Sequence, residues 1–130
     1  MPSVFSKIIS GEIPAFIIAE DENHLAFLDV NPLVIGHTLV IPKKETDYIF
    51  DLEDAELESM ILFSKKVAAL LKKAISCKRI GVSVIGLEVP HAHIHLIPIN
   101  SIDNMNFSQP KMKVSQTELL DIQTKILSFH

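Results

Sequence analysis

His91-Ala92-His93-Ile94-His95-Leu96-Ile97-Pro98 alternates imidazole with apolar side chains, then runs apolar up to a proline. A period of two marks a strand, whose successive side chains point to opposite faces. Ala92, Ile94 and Leu96 then turn into a core, and the three imidazoles share the other, exposed face. Upstream, Ile80-Gly81-Val82-Ser83-Val84-Ile85 reads as a partner strand, joined to the first through a tight segment from Gly86 to Pro90.

Further out the period changes. From Asp51 to about Ile75, apolar residues recur at Leu52, Ala55, Met60, Phe63, Val67, Leu70, Leu71 and Ala74, with Asp51, Glu53 and Asp54 at the start and Lys72 and Lys73 near the end. Helical spacing with acids first and bases last predicts one long helix. Val4, Phe5, Ile8 and Ile9 predict a short helix ending at Gly11. Residues 16–20 and 24–28, separated by Asp21-Glu22-Asn23, read as a hairpin. Thr38-Leu39-Val40-Ile41, stopped by Pro42, reads as a central third strand. Ser115 with Glu118 is a capping-box pair, and Leu119, Leu120, Ile122 and Ile126 give a C-terminal helix its apolar face. The expected fold is α+β, a five-stranded antiparallel sheet with one long helix and short terminal helices.

A length of 130 residues fits one domain spanning residues 1–130. At 48% hydrophobic and 22% charged, the chain has a globular composition. Its net charge of −4 gives no footprint for duplex nucleic acid or an anionic membrane, so an anionic ligand must be held locally. No apolar run is long enough to span a bilayer, and the N-terminus lacks the pattern of a leader, which predicts a cytoplasmic protein. The single cysteine, Cys77, cannot form an internal disulfide and fits a reducing compartment.

Three histidines on one strand face suit either a metal site or acid/base and nucleophilic chemistry. Neighbouring positions on that face are about 6.6 Å apart and the outer pair roughly 13 Å, whereas zinc needs each nitrogen within about 2.0–2.1 Å of one point. Two imidazoles can converge on a metal, but three from one regular strand do not. A neutral imidazole, with an ordinary pKa of about 6.5, is a competent nucleophile toward phosphorus.

His91-Ala92-His93-Ile94-His95-Leu96-Ile97 resembles the His-x-His-x-His-x-x pattern of the histidine triad family. The similarity extends to residues 5–14, to Ala26-Phe27-Leu28-Asp29-Val30-Asn31-Pro32 and to residues 36–43, in order along the chain. It is nearest to the small nucleotide-binding, nucleoside phosphoramidase-like branch. The resemblance implies hydrolysis of nucleoside 5′-phosphate derivatives, either purine nucleoside phosphoramidates or dinucleoside polyphosphates. His93 would attack the α-phosphorus, His95 would contact the phosphate and assist the leaving group, His91 would position His93 through its backbone, and His37 would join from the neighbouring strand. Asp29 would accept hydrogen bonds from the ribose, and Val4, Phe5, Ile8, Phe27 and Val30 would form an apolar slot for the base. A homodimer with joined sheets is also implied, with no cofactor.

Two departures stand out. Ser3 and Ser6 occupy the places where many bacterial relatives carry a zinc-binding Cys-x-x-Cys pair, so no metal is expected. Before the triad, Gly86-Leu87-Glu88-Val89-Pro90 replaces a longer Asn- and Gly-rich segment. Two other readings therefore stay open: a nucleotide-binding module with little catalysis, and a metal-dependent hydrolase using His91 or His93 with His37.

Overall fold

Strands made almost wholly of apolar residues need cover on both faces, and β2 (His24–Leu28) and β3 (Thr38–Pro42) are buried throughout. A computed structural model of the chain describes residues 2–130. Its sheet runs β1-β2-β3-β5-β4, all antiparallel, with β1 (Ile17–Glu20) and β4 (Arg79–Ser83) at the edges and β5 (Ile94–Ile99) beside the central β3. On one face Ile18, Ala26, Leu28, Val40, Ile94 and Leu96 pack under α2 (Asp54–Ala74) and α3 (Gln116–Leu127). On the other, Leu25, Phe27, Leu39 and Ile41 pack under Phe5, Ile8 and Ile9 of α1 (Val4–Ile9). The α+β class, the five antiparallel strands and the long helix agree with the sequence expectation.

The boundaries differ in instructive ways. Helix α2 starts at Asp54 rather than Asp51, because Ile49–Asp51 forms a separate 3₁₀ turn and Glu53 caps α2 in a reciprocal capping box with Glu56. Strand β4 ends at Ser83, which leaves Val84 and Ile85 exposed.

Strand β5 begins at Ile94, so His91 and His93 precede the ladder rather than belonging to it. The pairing Val40↔Ile94, carried two residues further, would set Pro42 opposite Ala92. Proline has no N–H to give, and the ladder stops. The Ala92 N–H instead donates to the Thr46 carbonyl at 2.6 Å, in the loop after β3. The three imidazoles are not exposed either: His91, His93 and His95 are 0%, 6% and 8% accessible. Phe5 caps the first two, its ring centroid 5.9 Å from His91 and 5.1 Å from His93.

Candidate active site

Each imidazole has at least one nitrogen committed to a partner, and the partners fix where the protons sit. The His93 Nδ1 lies 2.7 Å from the His91 carbonyl, which only accepts, so Nδ1 carries the hydrogen and Nε2 keeps its lone pair. His37 Nδ1 accepts the Leu33 N–H at 3.0 Å, so its Nε2 bears the hydrogen and donates to His95 Nδ1 at 2.9 Å. His95 must then carry its own hydrogen on Nε2. Its ring meets that of His93 edge-on, with centroids 4.9 Å apart. With the rings neutral, His93 Nε2 thus keeps a lone pair and His95 Nε2 a hydrogen, on two rings in contact.

His91 is held from both ends. Its Nε2 donates to the Pro42 carbonyl at 2.8 Å, which leaves Nδ1 to accept from the Ser3 hydroxyl, also at 2.8 Å. Ser3 caps α1 by accepting the Ser6 N–H at 3.0 Å, and Glu45 accepts both the Ser3 N–H at 2.6 Å and the Ser6 hydroxyl at 2.7 Å. Those donations hold the Glu45 carboxyl down at about 2. Serine hydroxyls are poor zinc ligands compared with thiolates. Here they are engaged in hydrogen bonds, so this corner does not fit a metal.

Asp29, His37 and His95 bring potential ligand atoms within 4.8 Å of one another. The proton arrangement argues against a metal here as well: His37 Nε2 carries the hydrogen it gives to His95, and Asp29 Oδ2 stands 3.7 Å from that same nitrogen. Burial is the main reason that His37 is lowered to about 3 and His95 to about 4, with repulsion from His95 and His93 on the first, from His93 on the second, and from Lys111 on both adding to it. Both are neutral at physiological pH. Burial also lowers His91, against the pull of the Pro42 carbonyl and Glu45. Asp29 is raised, chiefly by burial and slightly by Glu88, although the Asn31 N–H at 2.9 Å and Lys111 oppose the change.

These groups open on a cavity of about 300 Å³ lined by Phe5, Asp29, Glu88, His93, Phe107 and Lys111, among others. A slightly larger cavity between α2 and the C-terminus holds none of the triad. Among the residues expected around a base, Phe5 lines the cavity, and Phe27 is buried beneath it with ring centroids 5.5 Å apart. Ile8 is half-buried in the same cluster, whereas Val4 and Val30 stand exposed. His37 sits one residue ahead of β3, after Gly36, whose positive φ of 91° and tight fit against Ile75 and Pro98 both favour glycine.

Sequence reasoning passed over the segment between β5 and α3. Phe107 packs edge-on against His95 at 4.8 Å and His37 at 6.1 Å, and Lys111 reaches the cavity rim. A connection running from residue 100 to 115 is long for a compact fold, and that length was the available signal.

A mixed helix-and-sheet fold that sets three alternate histidines at the start of a central strand, two of them lining one cavity, defines a histidine triad protein. The chain belongs to the HIT domain family, whose family model matches residues 10–102. It is 37% identical to an HIT-like protein of Borreliella burgdorferi over 113 residues, 82% of this chain and 81% of that one. It is 35% identical to the adenosine 5′-monophosphoramidase HNT1 of Saccharomyces cerevisiae over 96 residues, 73% of this chain and 61% of that protein. The crystal structure of a Hit-like protein from Bartonella henselae superposes with a TM-score of 0.84 at 30% identity, covering 98% of this chain and 96% of that one.

Proposed function

We propose that the protein hydrolyses nucleoside 5′-phosphate derivatives, purine nucleoside phosphoramidates or dinucleoside polyphosphates, through a nucleotidyl-histidine intermediate on His93. The observation that carries this reading is the lone pair left on His93 Nε2 by the bond from Nδ1 to the His91 carbonyl, beside the His95 N–H. With a phosphoramidate, Nε2 bonds to the α-phosphorus as the P–N bond breaks. One water completes the balance, its proton going to the departing amine and its hydroxide to phosphorus, which releases the nucleoside monophosphate and restores neutral His93. While the ring carries positive charge, the His91 carbonyl dipole stabilises it through the bond already in place. His95 Nε2–H stabilises negative charge on the phosphate or the leaving atom. None of these steps requires a metal or cofactor.

Asp29 serves the ribose in this reading. Its carboxylate lines the cavity and retains acceptor capacity beyond the Asn31 N–H. Phe5, which lines the cavity and is backed by Phe27, begins the slot for the base, and Ile8, Val4 and Val30 belong to it in this reading. The family resemblance also supports a homodimer with joined sheets, for which the open edge of β4 and its exposed Val82 are suitable. Among the described residues no helix is long and apolar enough to cross a membrane. A cytoplasmic location, and small nucleotides rather than nucleic acid as ligands, belong to the same proposal, the latter supported by the net charge of −4.

The test is to quench the protein with an α-labelled adenosine phosphoramidate and map the label by mass spectrometry. The label is expected on His93, and His93→Ala is expected to abolish turnover while AMP still binds. Label on a hydroxyl, or an active His93→Ala protein, defeats the assignment. Binding of AMP without turnover in the wild type would favour the binding-module reading, for which Glu88 at the cavity is the specific observation.

A further inference from the structure

The residues lining the triad cavity carry an unusual charge balance for a site that accepts a phosphate. Asp29 and Glu88 are both acidic, and His37 and His95 are neutral near pH 7. Among these lining residues the one lysine or arginine is Lys111. It comes from the connection between β5 and α3, far in sequence from the triad and from Asp29.

Several contacts hold that segment in place. The Met112 N–H donates to the Pro32 carbonyl at 2.8 Å, which fastens the residue after Lys111 to the loop that carries Asp29. The Phe107 ring lies between Lys111 and the imidazoles, its centroid 4.8 Å from that of His95 and 5.4 Å from Lys111 Nζ. The ammonium donates to the Phe107 carbonyl at 2.9 Å, which uses one of its three hydrogens and leaves two for a ligand. No carboxylate comes within ion-pair distance of Lys111 among the described residues, so its charge is not already neutralised.

We propose that Lys111 is the phosphate-binding cation of this site, held at the cavity rim by Phe107 and by the Met112–Pro32 bond, and that it makes the site select an anionic nucleotide over the uncharged nucleoside. This rests on the nucleotide reading above and adds a residue outside the triad to it. Lys111 offsets the two carboxylates, and the approach of an anion to His93 depends on it. An exposed side chain at the rim can swing onto the phosphate without disturbing the core, so its replacement does not threaten folding.

The experiment compares AMP and adenosine binding, by calorimetry, to the wild type, Lys111→Gln and Lys111→Arg, with a thermal melt of each. Loss of a charge-assisted contact is expected to weaken AMP about tenfold in Lys111→Gln, with adenosine unchanged and most of the affinity kept in Lys111→Arg. The salt dependence of AMP binding should also flatten in Lys111→Gln. If AMP binds the wild type and Lys111→Gln equally, or if the substitution weakens AMP and adenosine alike, Lys111 does not hold the phosphate and the nucleotide reading still stands. If the wild type binds neither ligand, both fall together.

Discussion

At the scale of single residues, the site is a question of where each proton sits. His91, His93, His95 and His37 are the same side chain in four environments, and only His93 presents an Nε2 lone pair beside a neighbour's N–H. That assignment hangs on backbone groups: the His91 carbonyl for His93, and the Leu33 N–H for the His37–His95 pair. Sequence alone could place the histidines in one motif, since an alternating pattern is visible in the residues themselves. It could not give their tautomers, because the deciding partners are main-chain atoms and a serine 88 positions away. Ser3→Ala removes both the cap of α1 and the partner of His91 Nδ1. A lost cap and a lost hydrogen bond predict destabilisation of about 1–2 kcal/mol. If His91 relays its orientation to His93, kcat should fall while KM stays close to the wild-type value. Chemical denaturation with steady-state kinetics checks both, and a variant of unchanged stability and kcat would separate Ser3 from the catalytic geometry.

Among the elements, those with strong internal periodicity were the legible ones. The long helix, the hairpin and the capped C-terminal helix follow from patterns within a few consecutive residues, and Ser115 does accept the Glu118 N–H at 3.1 Å. Errors fell at ends, where tertiary partners decide: Pro42 stops β5 from another strand, and a 3₁₀ turn takes Asp51 from α2. The apolar face of α3 shows the same limit. Its sequence presents Leu120 and Ile126 as equivalents, but Ile126 is fully buried against the α2 side of the sheet and Leu120 is 52% exposed. Deleting most of a buried side chain costs about 2–5 kcal/mol, whereas a solvent-facing substitution usually lies within about 0.5 kcal/mol. Ile126→Ala should therefore lower the urea midpoint strongly and Leu120→Ala hardly at all. Comparable losses would show that α3 packs in another rotation.

For the whole molecule, the site sets a condition on stability, because the sheet encloses titratable groups that the unfolded chain exposes. Among the described residues every buried side-chain polar atom has a hydrogen-bond partner, and several of those bonds require neutral imidazoles. His95 and His37 are lowered to about 4 and about 3 in the folded protein, against about 6.5 for an imidazole in water. As pH falls through about 6.5 the unfolded chain takes up protons that the folded chain refuses, so stability declines with acidification and goes on declining toward the folded values. Asp29 acts in the opposite sense, since its raised carboxyl is protonated in the folded state before it is in the unfolded one. It is one group against three lowered histidines, His91 included, and it titrates from a lower starting value, so the histidines set the sign at mildly acidic pH. The urea midpoint should fall steadily between about pH 7.5 and pH 5, and the slope should be shallower in a His37→Asn/His95→Asn double variant. The imidazole resonances of His37 and His95 should stay those of neutral rings across the same range. A midpoint independent of pH, or a ring at either position titrating near 6.5, would show that the pair is open to solvent, and the proton arrangement that puts the hydrogen of His95 on Nε2 would then lose its basis.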